Sequence, residues 1–188
     1  VFAHIDNPNK ITQLISKLLT DDGVFINESH YLASLIETLQ YDTIYHEHLR
    51  YYSMASLDYL LTRNDLNPFF AKKIPTHGGS IRVYSSKNDL HKIDNSVKKI
   101  MEDEAEIISL KSLHKFKNNV LMSKLKLHTV LNSIKNEGKR IFGISSPSRA
   151  STLVNYVGLD QEIIECIVEI KGSHKIGKYM PGTRIPVL

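Results

Sequence analysis

The spacing of apolar residues in the first part of the chain predicts a strand, a helix and a second strand. Residues 1–5 are a short apolar run, which predicts the end of a buried strand, and residues 6–9 form a turn and helix-start signal. The apolar residues that follow recur at helical spacing: Ile11, Leu14, Ile15, Leu18 and Leu19. Residues 23–28 predict another strand. Because this order of elements builds parallel sheets, we expect a parallel α/β unit here.

The middle of the chain predicts two further strands and a long helical region. Ser53 is the expected N-cap of a helix, and residues 69–74 and 81–84 have the composition and alternation of strands. Residues 94–136 have helical periodicity throughout. That length exceeds an ordinary globular helix, so we expect two helices with a break between residues 109 and 112.

The last part of the chain predicts a second α/β unit. Residues 140–144 predict a strand, residues 145–148 a serine-rich turn, and residues 150–156 a helix that ends at Gly158. Residues 163–170 predict the next strand. Strand, turn, helix and strand in this order are typical of a Rossmann-like half.

Composition and charge narrow the class of protein. The 188 residues are 41% hydrophobic and 23% charged, as in a folded globular protein. No apolar run approaches the ~20 residues of a membrane span, no secretory signal opens the chain, and a single cysteine allows no internal disulfide. We therefore expect a cytoplasmic protein that does not enter a membrane. The net charge of +4 is spread along helix faces, which argues against nucleic acid and suits a phosphate-bearing small substrate.

Three segments resemble one family of enzymes. They are residues 41–48 (YDTIYHEH) with 51–53 (YYS), residues 77–82 (HGGSIR), and residues 179–186 (YMPGTRIP). Their order and spacing resemble the nucleotide-sugar C-methyltransferases of antibiotic and surface-polysaccharide pathways, the group that contains the tylosin and tetronitrose enzymes. The resemblance extends over essentially the whole chain.

The resemblance implies a three-part organisation of this α/β chain. Residues 1–53 would be the end of a Rossmann domain that binds S-adenosylmethionine (SAM), residues 54–136 linking strands and helices, and residues 137–188 a truncated, Rossmann-like C-terminal domain that helps to hold the nucleotide sugar. Family members also have an N-terminal zinc-binding domain. We expect the zinc and most of the SAM site, including its glycine-rich loop, upstream of Val1, and we expect this fragment to be inactive without that part.

Residues 45–48 carry the strongest chemical signal. Methylating a carbon next to a keto group requires a base that removes a C–H proton, and histidine is efficient because its pKa is near neutrality. The resemblance implies that His48 is this base, that Tyr45 and Glu47 line the same pocket, and that His46 contacts substrate. From the residues alone, His46 and His48 could also be metal ligands, or the segment could be a polar loop without chemistry. We expect no metal site in this chain.

Two further segments are candidate parts of the pocket. His4 follows the first predicted strand, where a histidine is usually structural but where ligands of α/β sheets also bind. The resemblance makes His4 a candidate pocket residue that assists either the enolate oxygen or the base. His77, Gly78, Gly79 and Ser80 form either a plain turn or a place where the backbone approaches the substrate.

The serine-rich turn is a candidate phosphate site. Ser146 and Ser148 precede a predicted helix, whose N-terminus favours an anion, and Arg149 adds positive charge. An ordinary N-cap turn is the alternative. The proline–glycine turn in residues 175–186 is assigned a structural role. Glu169 stands where the family usually has aspartate, so nucleotide recognition at that position is left open.

The expected function is therefore SAM-dependent C-methylation of a nucleotide-linked keto-deoxysugar through an enolate. Two alternatives stay open: a methyltransferase for a different substrate, and a domain that binds a nucleotide sugar without catalysis. The serine-rich turn leaves room for the second alternative, whereas the intact segment 45–48 argues against it.

Overall fold

The computed structural model describes residues 1–87 and 90–188 and has a mixed α/β fold. Contacts divide the chain into two compact units. Unit 1 comprises residues 1–40 and 46–116, and unit 2 comprises residues 41–45 and 117–188. Residues 54–116, part of the predicted linking region 54–136, belong to the same unit as residues 1–40, and the short segment 41–45 belongs to the C-terminal unit.

Unit 1 contains a three-stranded sheet and several helices. A short 3-10 helix, Phe2–His4, precedes these elements: α1 Pro8–Leu18, β1 Val24–His30, α2 Leu32–Glu37, α3 Met54–Thr62, β2 Asn67–Ile74, β3 Ser80–Ser86, α4 Asn95–Ile107 and the start of α5 Leu110–Asn136. The predicted helix after residue 9, both predicted middle strands and the break before α5 are confirmed. Helix α2 was not predicted.

The sheet of unit 1 is antiparallel, so the predicted parallel unit at the start of the chain is wrong. Its strand order is β1-β3-β2, and β3 pairs antiparallel with both neighbours. Residues 2–4 form a 3-10 helix instead of a strand. Phe2 is buried and its ring lies 6.0 Å from that of Phe25. The apolar run therefore reflects the burial of the Phe2 side chain and not the pairing of a strand.

The core of unit 1 lies between its sheet and helices. Its largest fully buried side chains include Tyr31, Met54, Leu57, Leu61, Leu66, Ile81 and Val83. Helix α3 begins as its sequence predicts, because the Ser53 side chain accepts a hydrogen bond from the Ser56 amide and the Ser56 hydroxyl accepts one from the Ser53 amide. This reciprocal cap fixes the point at which the loop after residue 40 re-enters regular structure.

Unit 2 contains the predicted parallel α/β unit, which is confirmed. Strands β4 Phe142–Ile144 and β5 Cys166–Val168 pair in parallel, and α6 Ser148–Val157 connects them. Val187 forms a parallel bridge with Ile167 of β5. Gly158 ends α6 in the left-handed conformation, with φ of 82°. The core comprises Val154, Val157, Leu159, Ile164, Ile167, Met180, Ile185 and Val187.

Helix α5 is the longest element, with 27 residues. Lysines interrupt its apolar positions throughout, as on a helix with a solvated face. Among the helices of residues 1–87 and 90–188, none combines the length and apolarity needed to cross a membrane.

Candidate active site

Three histidine rings lie close together in unit 1. The centroid of the His48 ring is 5.2 Å from that of His4 and 6.4 Å from that of His30. Tyr51 adds a fourth ring, 6.2 Å from His48. We call these four residues the histidine cluster. Within the part of the chain that the structure describes, no three His, Cys, Asp or Glu residues are arranged to hold a metal ion.

Backbone contacts explain why His48 lies beside His4. The Leu49 amide donates a hydrogen bond to the Ala3 carbonyl at 2.9 Å. Arg50 then donates from its guanidinium to the Ile5 carbonyl at 2.7 Å and to the Asp6 carbonyl at 2.8 Å. These bonds hold the loop that carries His48 alongside the N-terminal 3-10 helix, so two histidines distant in sequence become neighbours.

Gln40 holds His30 and the turn before β3. His30 Nε2 lies 3.3 Å from Gln40 Oε1, and Gln40 Nε2 donates to the Gly78 carbonyl at 2.7 Å. Gln40 Nε2 also donates to the Thr38 hydroxyl at 2.5 Å. Because the amide nitrogen serves these acceptors, Gln40 Oε1 is the atom that faces His30. His30 Nε2 and Gln40 Oε1 thus lie within hydrogen-bond distance, which places the His30 ring beside the turn before β3.

Gly78 and Gly79 pack against protein side chains. A Cβ atom at Gly78 would lie 2.8 Å from Gln40 Cδ, and one at Gly79 would lie 2.5 Å from Ser34 Cβ. Both residues have positive φ. Their lack of side chains thus lets the turn approach Gln40 and α2. This observation supports the turn interpretation and leaves a role in substrate binding as a prediction.

The other predicted residues of these segments differ in exposure. His77, His46 and Glu47 are exposed, Tyr45 is half-buried, and Ser80 is buried with its hydroxyl donating to the Thr76 carbonyl at 3.1 Å. Tyr45 belongs to unit 2, whereas residues 46–48 belong to unit 1. The predicted roles of these residues toward substrate stay predictions.

Segment 41–45 contacts α6 within unit 2. Arg149 Nε donates a hydrogen bond to Asp42 Oδ2 at 2.7 Å. This bond raises the pKa of Arg149 above its ordinary value. The rings of Tyr41 and Tyr156 meet edge to face with centroids 5.4 Å apart. Arg149, predicted as a phosphate ligand, thus has one of its donors engaged by a carboxylate.

A cavity of about 210 Å³ opens at the start of α6 in unit 2. Its lining includes Ser146, Ser148, His174, Lys178 and Tyr179. Helix α6 has no side-chain cap at Pro147. The Ala150 amide of the first turn donates to the Pro147 carbonyl at 2.9 Å, and the N-terminal end of the helix dipole adds to the positive potential of this cavity.

Glu169 occupies part of the predicted phosphate site. Its Oε1 accepts a hydrogen bond from the Ser146 amide at 2.6 Å and lies 3.5 Å from Lys175 Nζ. The bond from Ser146, and then the charge of Lys175, lowers the pKa of Glu169. An anion bound in the cavity would thus meet Ser148 and Lys178 rather than the Ser146 amide.

Sequence analysis missed His30 and Gln40 as neighbours of the predicted site. A signal for His30 was present, since it ends β1 and histidines at strand ends are candidates for a site in an α/β fold. We applied this argument to His4 alone. No local pattern identified Gln40, because its partners are 10 and 38 residues away.

Comparisons with known proteins give the relatives of this chain. Residues 75–188 match the family model described as C-methyltransferase C-terminal domain. The chain is 29% identical to the C-methyltransferase NovU of Streptomyces niveus over 189 aligned positions, which cover 99% of this chain and 45% of that protein. The chain thus spans about half the length of this curated relative.

Proposed function

We propose that this chain, which belongs to the C-methyltransferase C-terminal domain family, forms part of a SAM-dependent C-methyltransferase that acts on a nucleotide-linked keto-deoxysugar. The histidine cluster is the observation that carries this proposal. It places an imidazole, a general base that works near neutral pH, among residues whose positions are fixed by the backbone.

His48 is the base of the proposed reaction. It takes a proton from the carbon adjacent to the keto group, and the electron pair of that C–H bond forms an enolate. The enolate carbon would then form the new bond to the methyl group, and the bond between that methyl group and the sulfonium sulfur of the donor would break with its electron pair going to the sulfur. A general base of this kind contributes a factor of about 10²–10⁴ to the rate. His4 and His30 limit the positions that the His48 ring can take.

When bound, SAM supplies an electrophilic methyl group on a sulfonium sulfur. No glycine-rich turn from a strand into a helix occurs in the part of the chain that the structure describes. The Gly78–Gly79 pair, the nearest equivalent, is filled by Gln40 and Ser34. The Gly78–Gly79 turn is therefore not the proposed phosphate-type loop of a SAM site, and we propose that most of the SAM site lies outside this chain.

We further propose that unit 2 is a Rossmann-like domain whose cavity at α6 holds the nucleotide phosphates. Lys178, His174 and Ser148 line the cavity beside the first turn of the helix. Positive side chains and free helix amides are the groups that bind phosphate in proteins. The net charge of +4 also favours a phosphate-bearing ligand, and it acts over a longer range than these contacts.

The test uses the full-length natural protein that contains this chain, in its original form and with His48→Asn. Two rates are measured: methyl transfer from labelled SAM to a thymidine-diphosphate keto-deoxysugar, and exchange of the acidic sugar proton with deuterium oxide. His48→Asn should lower both rates by about 10²–10⁴, while the affinity for thymidine diphosphate stays unchanged.

His114→Asn is the matched control, because His114 is an exposed histidine of α5 outside the cluster. Normal rates with His48→Asn would show that another group is the base. Methyl transfer that does not require a nucleotide on the substrate would overturn the proposed substrate class.

A further inference from the structure

Arg50 follows His48 by two residues and binds the N-terminal segment of unit 1 with both ends of its guanidinium. Its Nη1 donates to the Ile5 carbonyl at 2.7 Å, and its Nη2 donates to the Asp6 carbonyl at 2.8 Å. These two carbonyls directly follow the 3-10 helix Phe2–His4. One side chain therefore holds the backbone on the C-terminal side of His4.

The backbone supplies a further contact on the N-terminal side of His4. The Leu49 amide donates to the Ala3 carbonyl at 2.9 Å. Hydrogen bonds from residues 49 and 50 thus reach carbonyls before and after His4. Between them, the rings of His4 and His48 meet edge to face, with centroids 5.2 Å apart and planes at 73°. The position of His48 relative to His4 is therefore set by bonds on both sides of His4.

We propose that Arg50 is a positioning residue for the methyl transfer, because its guanidinium holds the segment that carries the base His48 against the segment that carries His4. This inference rests on the proposed function, since it takes His48 as the base. Every residue involved belongs to unit 1, so the argument uses contacts inside one compact body.

The carbonyls that Arg50 binds are a suitable anchor because regular structure lies on both sides of them. The 3-10 helix precedes them, and α1 follows directly after Asn7. Asn7 is the N-cap of α1, since its side chain accepts a hydrogen bond from the Lys10 amide at 3.0 Å. The two carbonyls thus lie in a short connection whose ends are fixed.

The geometry favours positioning over the other role that an arginine in this place could have, which is to bind a substrate phosphate. Both terminal nitrogens of Arg50 donate to backbone carbonyls, and the side chain is half-buried. The planar guanidinium holds two acceptors in a fixed geometry, which the single ammonium of a lysine cannot do. A misplacement of about 1 Å at a catalytic group can lower a rate by about 100-fold.

The experiment compares Arg50→Met and Arg50→Lys in the full-length natural protein. The matched control is Arg63→Met, which removes another arginine of unit 1: Arg63 Nη1 donates to the Tyr59 hydroxyl at 2.8 Å on the surface. The first measurement is hydrogen–deuterium exchange of the Leu49 amide, with the buried Met54 amide as the reference for the core. The others are kcat and KM for methyl transfer, exchange of the acidic sugar proton with deuterium oxide, and the affinity for thymidine diphosphate by calorimetry.

We expect Arg50→Met to speed exchange of the Leu49 amide by about tenfold, with exchange of the Met54 amide unchanged. We expect kcat and the rate of sugar-proton exchange each to fall by about tenfold or more, with unchanged KM and unchanged affinity for thymidine diphosphate. Arg50→Lys should recover part of each loss, because its ammonium can still reach one of the two carbonyls. Arg63→Met should show none of these changes.

Three outcomes would overturn the inference. In the first, kcat of Arg50→Met is normal although His48→Asn lowers it. In the second, the Met54 amide exchanges as much faster as the Leu49 amide, which would indicate general destabilisation. In the third, affinity for thymidine diphosphate falls while kcat is unchanged, as for a phosphate ligand. Normal rates in His48→Asn would refute the proposed function and the inference together, whereas normal rates in Arg50→Met alone would refute only the inference.

Discussion

The hydroxyl of Tyr31 donates a hydrogen bond to Glu104 Oε2 at 2.8 Å inside the core of unit 1. The same carboxylate accepts hydrogen bonds from the amides of Met54 and Ala55, each at 2.8 Å. One side chain of α4 thus joins the residue after β1 to the first turn of α3. Burial, reinforced by the bond to Glu104, raises the pKa of Tyr31, so its hydroxyl remains a donor. Tyr31 directly follows His30, so this junction also supports the histidine cluster.

Replacing Glu104 should therefore destabilise unit 1. Glu104 is 2% exposed, and Glu104→Gln would place an amide donor where the carboxylate now serves three donors. We expect the free energy of unfolding to fall by about 2–4 kcal/mol, measured by urea denaturation. Glu106→Gln, at an exposed position of the same helix, is the control. A loss as small as that of the control would show that water replaces these bonds without cost.

The close packing of Gly79 against α2 gives a second prediction. Gly79 has φ of 121°, and an added Cβ would lie 2.5 Å from Ser34 Cβ. Gly138 also has positive φ, at 70°, but nothing lies within 4 Å of its Cβ position. We expect Gly138→Ala to cost about 1 kcal/mol from backbone strain alone, and Gly79→Ala about 2–3 kcal/mol.

A double variant separates the steric overlap with Ser34 from the backbone strain at Gly79. Ser34→Gly removes the atom that the new Cβ would meet, so Gly79→Ala should cost less in the Ser34→Gly background than alone. Strictly additive losses in denaturation experiments would show that the turn moves away from α2 instead of overlapping it.

Sequence signals succeeded where the determining contacts are local. The Ser53 cap, the break before α5 and the strand–helix–strand order of unit 2 all depend on residues a few positions apart. The antiparallel direction of β1 depends instead on a distant partner, because β3 begins 50 residues after β1 ends: His30 pairs with Ser80. The apolar run around Phe2 looks the same whether it pairs in a sheet or packs one ring into a core.

The candidate site shows the same difference between residues that local sequence identifies and residues that only long-range contacts bring together. The segment 41–48 was recognisable because its chemistry is contiguous in sequence. His30 and Gln40 were not, since hydrogen bonds between side chains 10 residues apart leave no periodic pattern. The partner of Arg149 is 107 residues away, and only the fold reveals that this side chain contacts Asp42 rather than solvent alone.

Two buried serines of β3 predict opposite effects of the same substitution. Ser85 is fully buried, and its hydroxyl has no hydrogen-bond partner among the described residues. The Ser80 hydroxyl donates to the Thr76 carbonyl at 3.1 Å. Ser85→Ala should leave stability unchanged or raise it by up to about 1 kcal/mol, whereas Ser80→Ala should lower it by about 1 kcal/mol. Equal losses in thermal denaturation would show that Ser85 has an unseen partner such as water.

The carboxylate of Glu169 predicts a pH-dependent contribution to the stability of unit 2. Its pKa is lowered in the folded protein, chiefly by the hydrogen bond from the Ser146 amide. A lowered folded-state pKa means that the unfolded chain binds the proton more tightly. The contribution is therefore complete well above the ordinary glutamate pKa of about 4.3, and it is lost as the pH falls through the folded value.

Glu169→Gln should accordingly be less stable than the original protein at pH 7, and the two should converge as the pH is lowered below about 4. The measurement is the free energy of unfolding of each protein by denaturant titration between pH 3 and pH 7, at intervals of about one pH unit. Glu162→Gln, an exposed substitution in the same unit, removes the same charge without this hydrogen bond. A difference between Glu169→Gln and the original protein that stays constant across the range would mean that the bond acts independently of the charge. A difference that grows toward low pH would reverse the sign of the argument and contradict the lowered pKa.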